Sequence, residues 1–187
     1  MSTTRTVHVF VGSLRKDAFS RKLAKALVAL APASLKLEIV EIGQLPLYNP
    51  DLDETSPPEP WTAFRQRVKS ADAVLFVTPE YNRSVPAALK NALDVGSRPS
   101  GQSVWDGKPG AIVSASPGAI SGFGANHHLR QSLVFVNVPA MQQPEAYIGG
   151  VAALFDADGN LTNEGTRTFL TTFLTAFAAW IEANIRR

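Results

Sequence analysis

The sequence predicts an α/β protein: one parallel sheet with helices on both faces, in a single domain spanning residues 1–187. Two observations carry this. Short β-favouring apolar runs alternate with helical stretches five times, the pattern of parallel strands joined by right-handed crossovers. The middle run, Ala73–Val77 (AVLFV), is apolar at every position, as expected of a central strand covered on both faces.

Each element can be justified in turn. Val7, Val9, Phe10 and Val11 are β-favouring and few enough to make one buried strand, punctuated by Gly12. Phe19, Leu23, Ala26, Leu27 and Leu30 recur at helical spacing, and Pro32 stops the pattern. Leu35, Leu37, Ile39, Val40 and Ile42 suggest the second strand. From Gln44 to Pro60 the chain is too rich in proline to be regular throughout, and loops this long are often functional or mobile. Ser56–Pro60 reads as a helix start, followed by a stripe of Trp61, Phe64, Val68 and Ala71. After Val77 the chain turns through Thr78–Ser84 into a helix from Val85 to about Val95, with Ser84 as the expected cap. Ala111–Ala115 is the fourth strand, and a helix follows over 123–136. Pro139–Met141 is read as a short fifth strand and 144–159 as mostly loop. From about Thr162 the pattern is helical to the end, with Phe169, Phe173, Phe177, Trp180 and Ile181 on one apolar face.

Composition narrows the function. Hydrophobic residues make up 45% of the chain, which argues against disorder. The net charge of +2, with Lys and Arg scattered, is too small to point to nucleic acid. The lack of cysteine excludes disulfides, a thiol nucleophile, thiolate zinc sites and cysteine-ligated iron–sulfur clusters. No secretory signal and no membrane-spanning apolar run is evident, so a cytoplasmic protein is expected. His127 and His128 are adjacent on a helix and point about 100° apart, so no shared metal is expected.

Three unusual loops follow strands: after Val11, after Val77 and after Ala115. A parallel sheet brings all three to the carboxyl edge, where ligands bind in such folds. The first runs from strand to helix and aims backbone N–H groups and a positive dipole end at one point. Ser13 and Ser20 add hydroxyls, and Arg15 adds a guanidinium that can fork onto phosphate oxygens. A phosphate cradle is one reading; loop capping and a surface ion pair are the other. In the second loop Pro79, Tyr81 and Asn82 suit a flat aromatic ligand with polar edges. Tyr81 either flanks a ring or anchors the loop, Asn82 either bonds a ring or stabilises the turn, and Glu80 is either a proton donor or a solvated or helix-capping carboxylate. The third loop, with Ser116, Gly118 and Ser121, is small enough for backbone to approach a ring closely; ordinary turn chemistry is the alternative. A phosphate beside a flat heterocycle suggests a mononucleotide, and flavin mononucleotide (FMN) fits.

Three stretches make this specific: Gly12-Ser13-Leu14-Arg15; Thr78-Pro79-Glu80-Tyr81-Asn82 through Leu89-Lys90-Asn91-Ala92-Leu93-Asp94; and Ser116-Pro117-Gly118 with Gly122. In order and spacing the chain resembles the NADPH-dependent FMN reductase family over nearly its whole length. The likeness is greatest to the quinone, azo-dye and chromate reductases of that family. The resemblance implies a flavodoxin-like three-layer sandwich with sheet order 2-1-3-4-5. It implies FMN held by Ser13, Arg15, Phe19, Ser20, Pro79, Glu80, Tyr81, Asn82, Ser116, Gly118 and Ser121. NADPH or NADH would donate hydride, and a small-molecule electron acceptor would enter the space that the nicotinamide leaves. The chemistry sits on FMN, so no catalytic side chain is implied. A homodimer or homotetramer is implied, with the helix from Leu89 to Val95 at the contact. Where the family has a glycine, a serine and an asparagine in the first loop, this chain has Asp17, Ala18 and Ser20. One lost hydroxyl would weaken binding roughly tenfold to a hundredfold. A 2′-phosphate would need a basic partner, for which Arg83 and Arg98 are candidates. The alternatives are an electron carrier or flavin-binding module that does not oxidise NAD(P)H, and a member that no longer binds flavin.

Overall fold

In the computed structural model, which describes residues 3–185, the parallel strands lie in the order β2-β1-β3-β4-β5. Their ranges are β1 Arg5–Val11, β2 Leu35–Val40, β3 Ala73–Thr78, β4 Gly110–Ala115 and β5 Ala146–Ile148. The helices are α1 Phe19–Leu30, α2 Pro50–Thr55, α3 Glu59–Lys69, α4 Ala87–Gly96, α5 Phe123–Phe135 and α6 Glu164–Asn184. The fold is the expected three-layer flavodoxin-like arrangement. The expected span of 1–187 and the helix running to the chain end extend, at Met1, Ser2, Arg186 and Arg187, outside the described residues.

Strand alternation divides the core in two. Val7, Val9 and Val11 with Leu75, Val77 and Val113 face α1 and α6, where Leu23, Leu27, Phe173 and Phe177 cover them. Phe10, Phe76 and Ile112 face the other way, onto α3, α4 and α5. All of β3 is buried, as its unbroken apolar run requires. On the second face Phe10 lies 5.5 Å from Phe76, 5.3 Å from Trp105 and 6.0 Å from Phe64, edge-on or offset geometries that aromatic rings favour.

Two expectations need correction, and the segment expected not to be regular throughout holds one short helix. The fifth strand is Ala146–Ile148, not Pro139–Met141. Ala140 does bridge Gly110 at the start of β4, but the ladder resumes only at Val113 with Ala146. The proline-rich segment contains α2, started by Asn49, whose side chain accepts the Asp51 N–H at 3.0 Å, and by Pro50 behind it. Nor is that segment loose. Trp61 Nε1 donates to Pro46 O at 3.0 Å, Tyr48 N–H donates to Asn91 Oδ1 at 2.8 Å, and Asn91 Nδ2 donates to Pro46 O at 2.9 Å. Finally, Ser84 does not cap α4; Pro86 holds the cap position. Ser84 instead pairs its backbone with Tyr81, N–H to O in both directions at 3.0 Å.

His8 is a polar anomaly on β1. It is fully buried, and neither ring nitrogen has a hydrogen-bond partner among the described residues. Burial, aided by Arg67, holds its pKa below the ordinary histidine value. Glu38, 3.9 Å away, pulls the other way without prevailing. The unfolded chain therefore takes up a proton near pH 6.5 that the folded chain refuses, so stability falls as pH drops through 6.5 toward the folded value. His8→Leu is expected to flatten that loss and to stabilise the fold by about 1 kcal/mol at pH 5.5. Urea unfolding at pH 7.5 and 5.5 checks this; an unchanged pH dependence would refute the role of His8.

Candidate functional site

β1, β3 and β4 all end at one sheet edge, with Gly12 N–H still bonded to Val77 O at 2.9 Å. The order β2-β1-β3 puts the reversal of strand order between the parallel β1 and β3, the usual position of a ligand crevice. A cavity of about 180 Å³ opens there. It is lined by Ser13, Arg15, Phe19 and Ser20 from the first loop and α1, Pro79, Glu80 and Tyr81 from the second loop, and Ser116 from the third. Ala18, Ala115, Pro117 and Val151 complete it. Val151 follows β5, and nothing in its local sequence marks it. A second hollow of about 440 Å³, lined by Gly12, Leu14, Pro86, Ala87 and Ala88, shares Arg15 and Tyr81 with the first.

The α1 end of the cavity presents a helix N-terminus and hydroxyl groups. Ala18 takes the cap position of α1 with no side-chain bond to the helix. Ser20 is 2% exposed and its Oγ has no partner among the described residues. A buried hydroxyl without a partner beside a helix N-terminus is a donor awaiting an acceptor. Arg15 is exposed at the mouth, and Asp17 is exposed and outside the lining.

The second loop is held by its acid. Glu80 Oε2 accepts the Ala125 N–H at 3.0 Å in the first turn of α5, and Oε1 meets Arg83 Nη1 at 3.4 Å. Glu80 thereby caps the first turn of α5. A Cβ at Gly124 would meet Arg83 O at 2.7 Å and Glu80 Oε2 at 2.9 Å, so only glycine admits this approach. Asn82 and Arg83 turn the loop at positive φ, 50° and 64°, and Asn82 lies outside the cavity lining.

In the third loop Gly118 N–H donates to Ser116 Oγ at 3.1 Å, and Ser121 Oγ donates to Ala119 O at 2.9 Å. Gly118 and Ser121 are not among the residues that line the cavity. Ser114 Oγ donates to Ser121 O at 2.9 Å, fixing the loop to β4. Arg83 is engaged with Glu80, whereas Arg98 lines a separate groove of about 620 Å³ between α4 and α5. His127 and His128 diverge: Nε2 of the first is 3.0 Å from the Tyr147 hydroxyl, and Nδ1 of the second is 3.0 Å from Ser84 Oγ.

Residues 5–153 match the family model of the NADPH-dependent FMN reductases. The chain belongs to that family. This FMN reductase family member is 62% identical over 184 residues to a quinone reductase of Pseudomonas putida, covering 98% of each chain. It is 50% identical over 175 residues to a 2-hydroxy-1,4-benzoquinone reductase of a Burkholderia species, covering 94% and 95%. Among solved structures it superposes on FerB, a flavoenzyme NAD(P)H:(acceptor) oxidoreductase of Paracoccus denitrificans, with a TM-score of 0.92 at 45% identity, covering 98% and 100%. No helix among the described residues is long and apolar enough to cross a membrane.

Proposed function

We propose that the protein is an FMN-dependent NAD(P)H oxidoreductase that passes electrons from a reduced nicotinamide to quinones or similar small acceptors. The observation that carries this is the unpartnered, buried Ser20 hydroxyl beside the N-terminus of α1, in a cavity walled by the two other loops. The residues fit FMN. Ser13, Arg15 and Ser20 would hold the phosphate, with Phe19 beside them. Pro79, Glu80, Tyr81 and Ser116 would line the ribityl chain and ring, the first two through backbone. Asn82, Gly118 and Ser121 would act from behind, by setting the two loops. FMN, when bound, accepts hydride and returns electrons to the acceptor. The chain's part is to bind and orient. Exposed Leu14, Tyr81, Ile120 and Phe123 around the loops give an apolar surface for a flat acceptor.

The likeness to the Pseudomonas and Burkholderia reductases supports quinones as the acceptor class. We also propose a cytoplasmic homodimer or homotetramer, acting as one flavodoxin-like domain per chain. In the helix implied at the contact, Leu89, Leu93 and Val95 are spent on the core, so a partner would meet its exposed face, which carries Lys90 and Asp94. The exposed Val134 and Phe135 at the end of α5, beside the groove next to α4, are the available apolar surface. Sedimentation showing only monomer at micromolar concentration would remove this part.

The deciding experiment is a visible spectrum of protein mixed with FMN and desalted, then of the same sample with anaerobic NADPH. The expected result is a retained flavin band that bleaches. A retained band left unchanged by NADPH and NADH would favour an electron carrier, and no retained or titratable flavin would overturn the reading.

A further inference from the structure

Ser13 is 3% exposed and sits where the first and second loops meet. Its Oγ accepts the Arg15 N–H at 3.3 Å and lies 3.3 Å from the Tyr81 hydroxyl. Both contacts are long, and both point to the same oxygen. A serine hydroxyl has two lone pairs and one proton. The Arg15 N–H occupies one lone pair, so Tyr81 decides what remains. If Ser13 gives its proton to Tyr81, it has nothing to offer an anion in the cavity. If Tyr81 gives its proton to Ser13, both lone pairs are filled and the serine proton is left over. The cavity is the open direction for it, shared with Ser20 Oγ and the Arg15 side chain.

A phosphate in the cavity selects the second arrangement, because only there does Ser13 donate to it. We propose that Tyr81 is a positioning residue for phosphate: its hydroxyl donates to Ser13 and so makes Ser13 a fixed donor toward an anionic oxygen. The inference rests on the reading of this cavity as the FMN site. It gives the second loop a part in phosphate affinity as well as in ring contact. It also couples two loops that lie 68 residues apart in the chain.

Tyr81→Phe keeps the ring and removes only the hydroxyl. The test measures dissociation constants of FMN and of riboflavin, which has the same ring and no phosphate, by flavin fluorescence. The full-length wild type, Tyr81→Phe, Ser13→Ala and the double variant are compared, with thermal unfolding confirming that each is folded. Tyr81→Phe is expected to weaken FMN about threefold to tenfold and to leave riboflavin unchanged. In the Ser13→Ala background it should have no further effect, since the group it directs is gone. Equal weakening of FMN and riboflavin, an effect on FMN that persists undiminished without Ser13, or an unchanged FMN constant would each overturn the proposal. A wild type that binds neither flavin would instead overturn the FMN reading, and this inference with it.

Discussion

Arg15→Glu is expected to weaken FMN binding about a hundredfold or more while leaving the fold intact. Arg15 is exposed and lines the cavity, and among the described residues its side chain has no ion pair to be broken. A surface change of this kind alters stability by about 0.5 kcal/mol or less. A charged hydrogen bond to phosphate is worth about 1.5–3 kcal/mol, and the variant adds repulsion between a carboxylate and a dianion. At about 1.4 kcal/mol per tenfold, the bond alone accounts for one to two decades. Arg15→Lys keeps the charge and loses the fork, so its expected loss is intermediate, about tenfold. Affinity measured at rising salt checks the cause. Wild-type binding should weaken with salt, and binding by Arg15→Glu should respond less or in reverse. An Arg15→Glu variant that binds FMN like the wild type would remove Arg15 from the phosphate site.

The second large effect lies in the proline-rich segment. Arg65 of α3 forks onto Asp53 of α2 at 2.8 and 2.7 Å, and its Nε donates to Val95 O at 2.9 Å at the end of α4. The two side chains are 9% and 5% exposed. Asp53→Ala would leave a buried guanidinium with the Val95 carbonyl and the Trp61 ring, 5.8 Å away, and no counter-charge. Removing one partner of a buried pair costs about 3–5 kcal/mol, a large share of the roughly 5–15 kcal/mol that holds a domain together. For a chain of this size that is a fall in melting temperature of roughly 10 °C. Replacing both partners by apolar residues, as in Asp53→Ala with Arg65→Met, should recover most of the loss, because no charge is then buried unpaired. Thermal unfolding of the three proteins decides it. A single variant that loses less than about 1 kcal/mol would mean that water reaches the guanidinium.

Much of this architecture was legible because its signals are local. The strands β1, β3 and β4 carry short apolar runs, and each loop of the candidate site begins where such a strand stops. The Asn49-Pro50 start of α2 was equally local and was missed inside a segment read for its prolines. β5 was misplaced for a physical reason: Ala140 does touch β4, so the residues around it carry the apolar signature of a strand. The ladder then resumes on three residues whose sequence says little. Contacts across the chain were beyond reach. Nothing near Glu80 announces that it caps a helix 45 residues on. Asn91 sits in the most distinctive motif of the chain, yet it serves the proline-rich segment and not the cavity. Ser20 was legible as a polar residue at a helix start, whereas its lack of a partner belongs to the fold.

The divided fifth strand also bears on how the protein behaves in a crowded solution. An open sheet offers two rims of unpaired backbone to any passing chain. On the β5 side the rim is only three residues long and gives way at once to a single 3-10 turn, Val151–Leu154. On the β2 side it carries Lys36 and Glu38, joined to each other at 2.6 Å, and Glu38 also meets Arg67. A foreign strand would find too short a template on one side and a desolvation penalty on the other. The sheet is closed to growth by brevity at one end and by charge at the other.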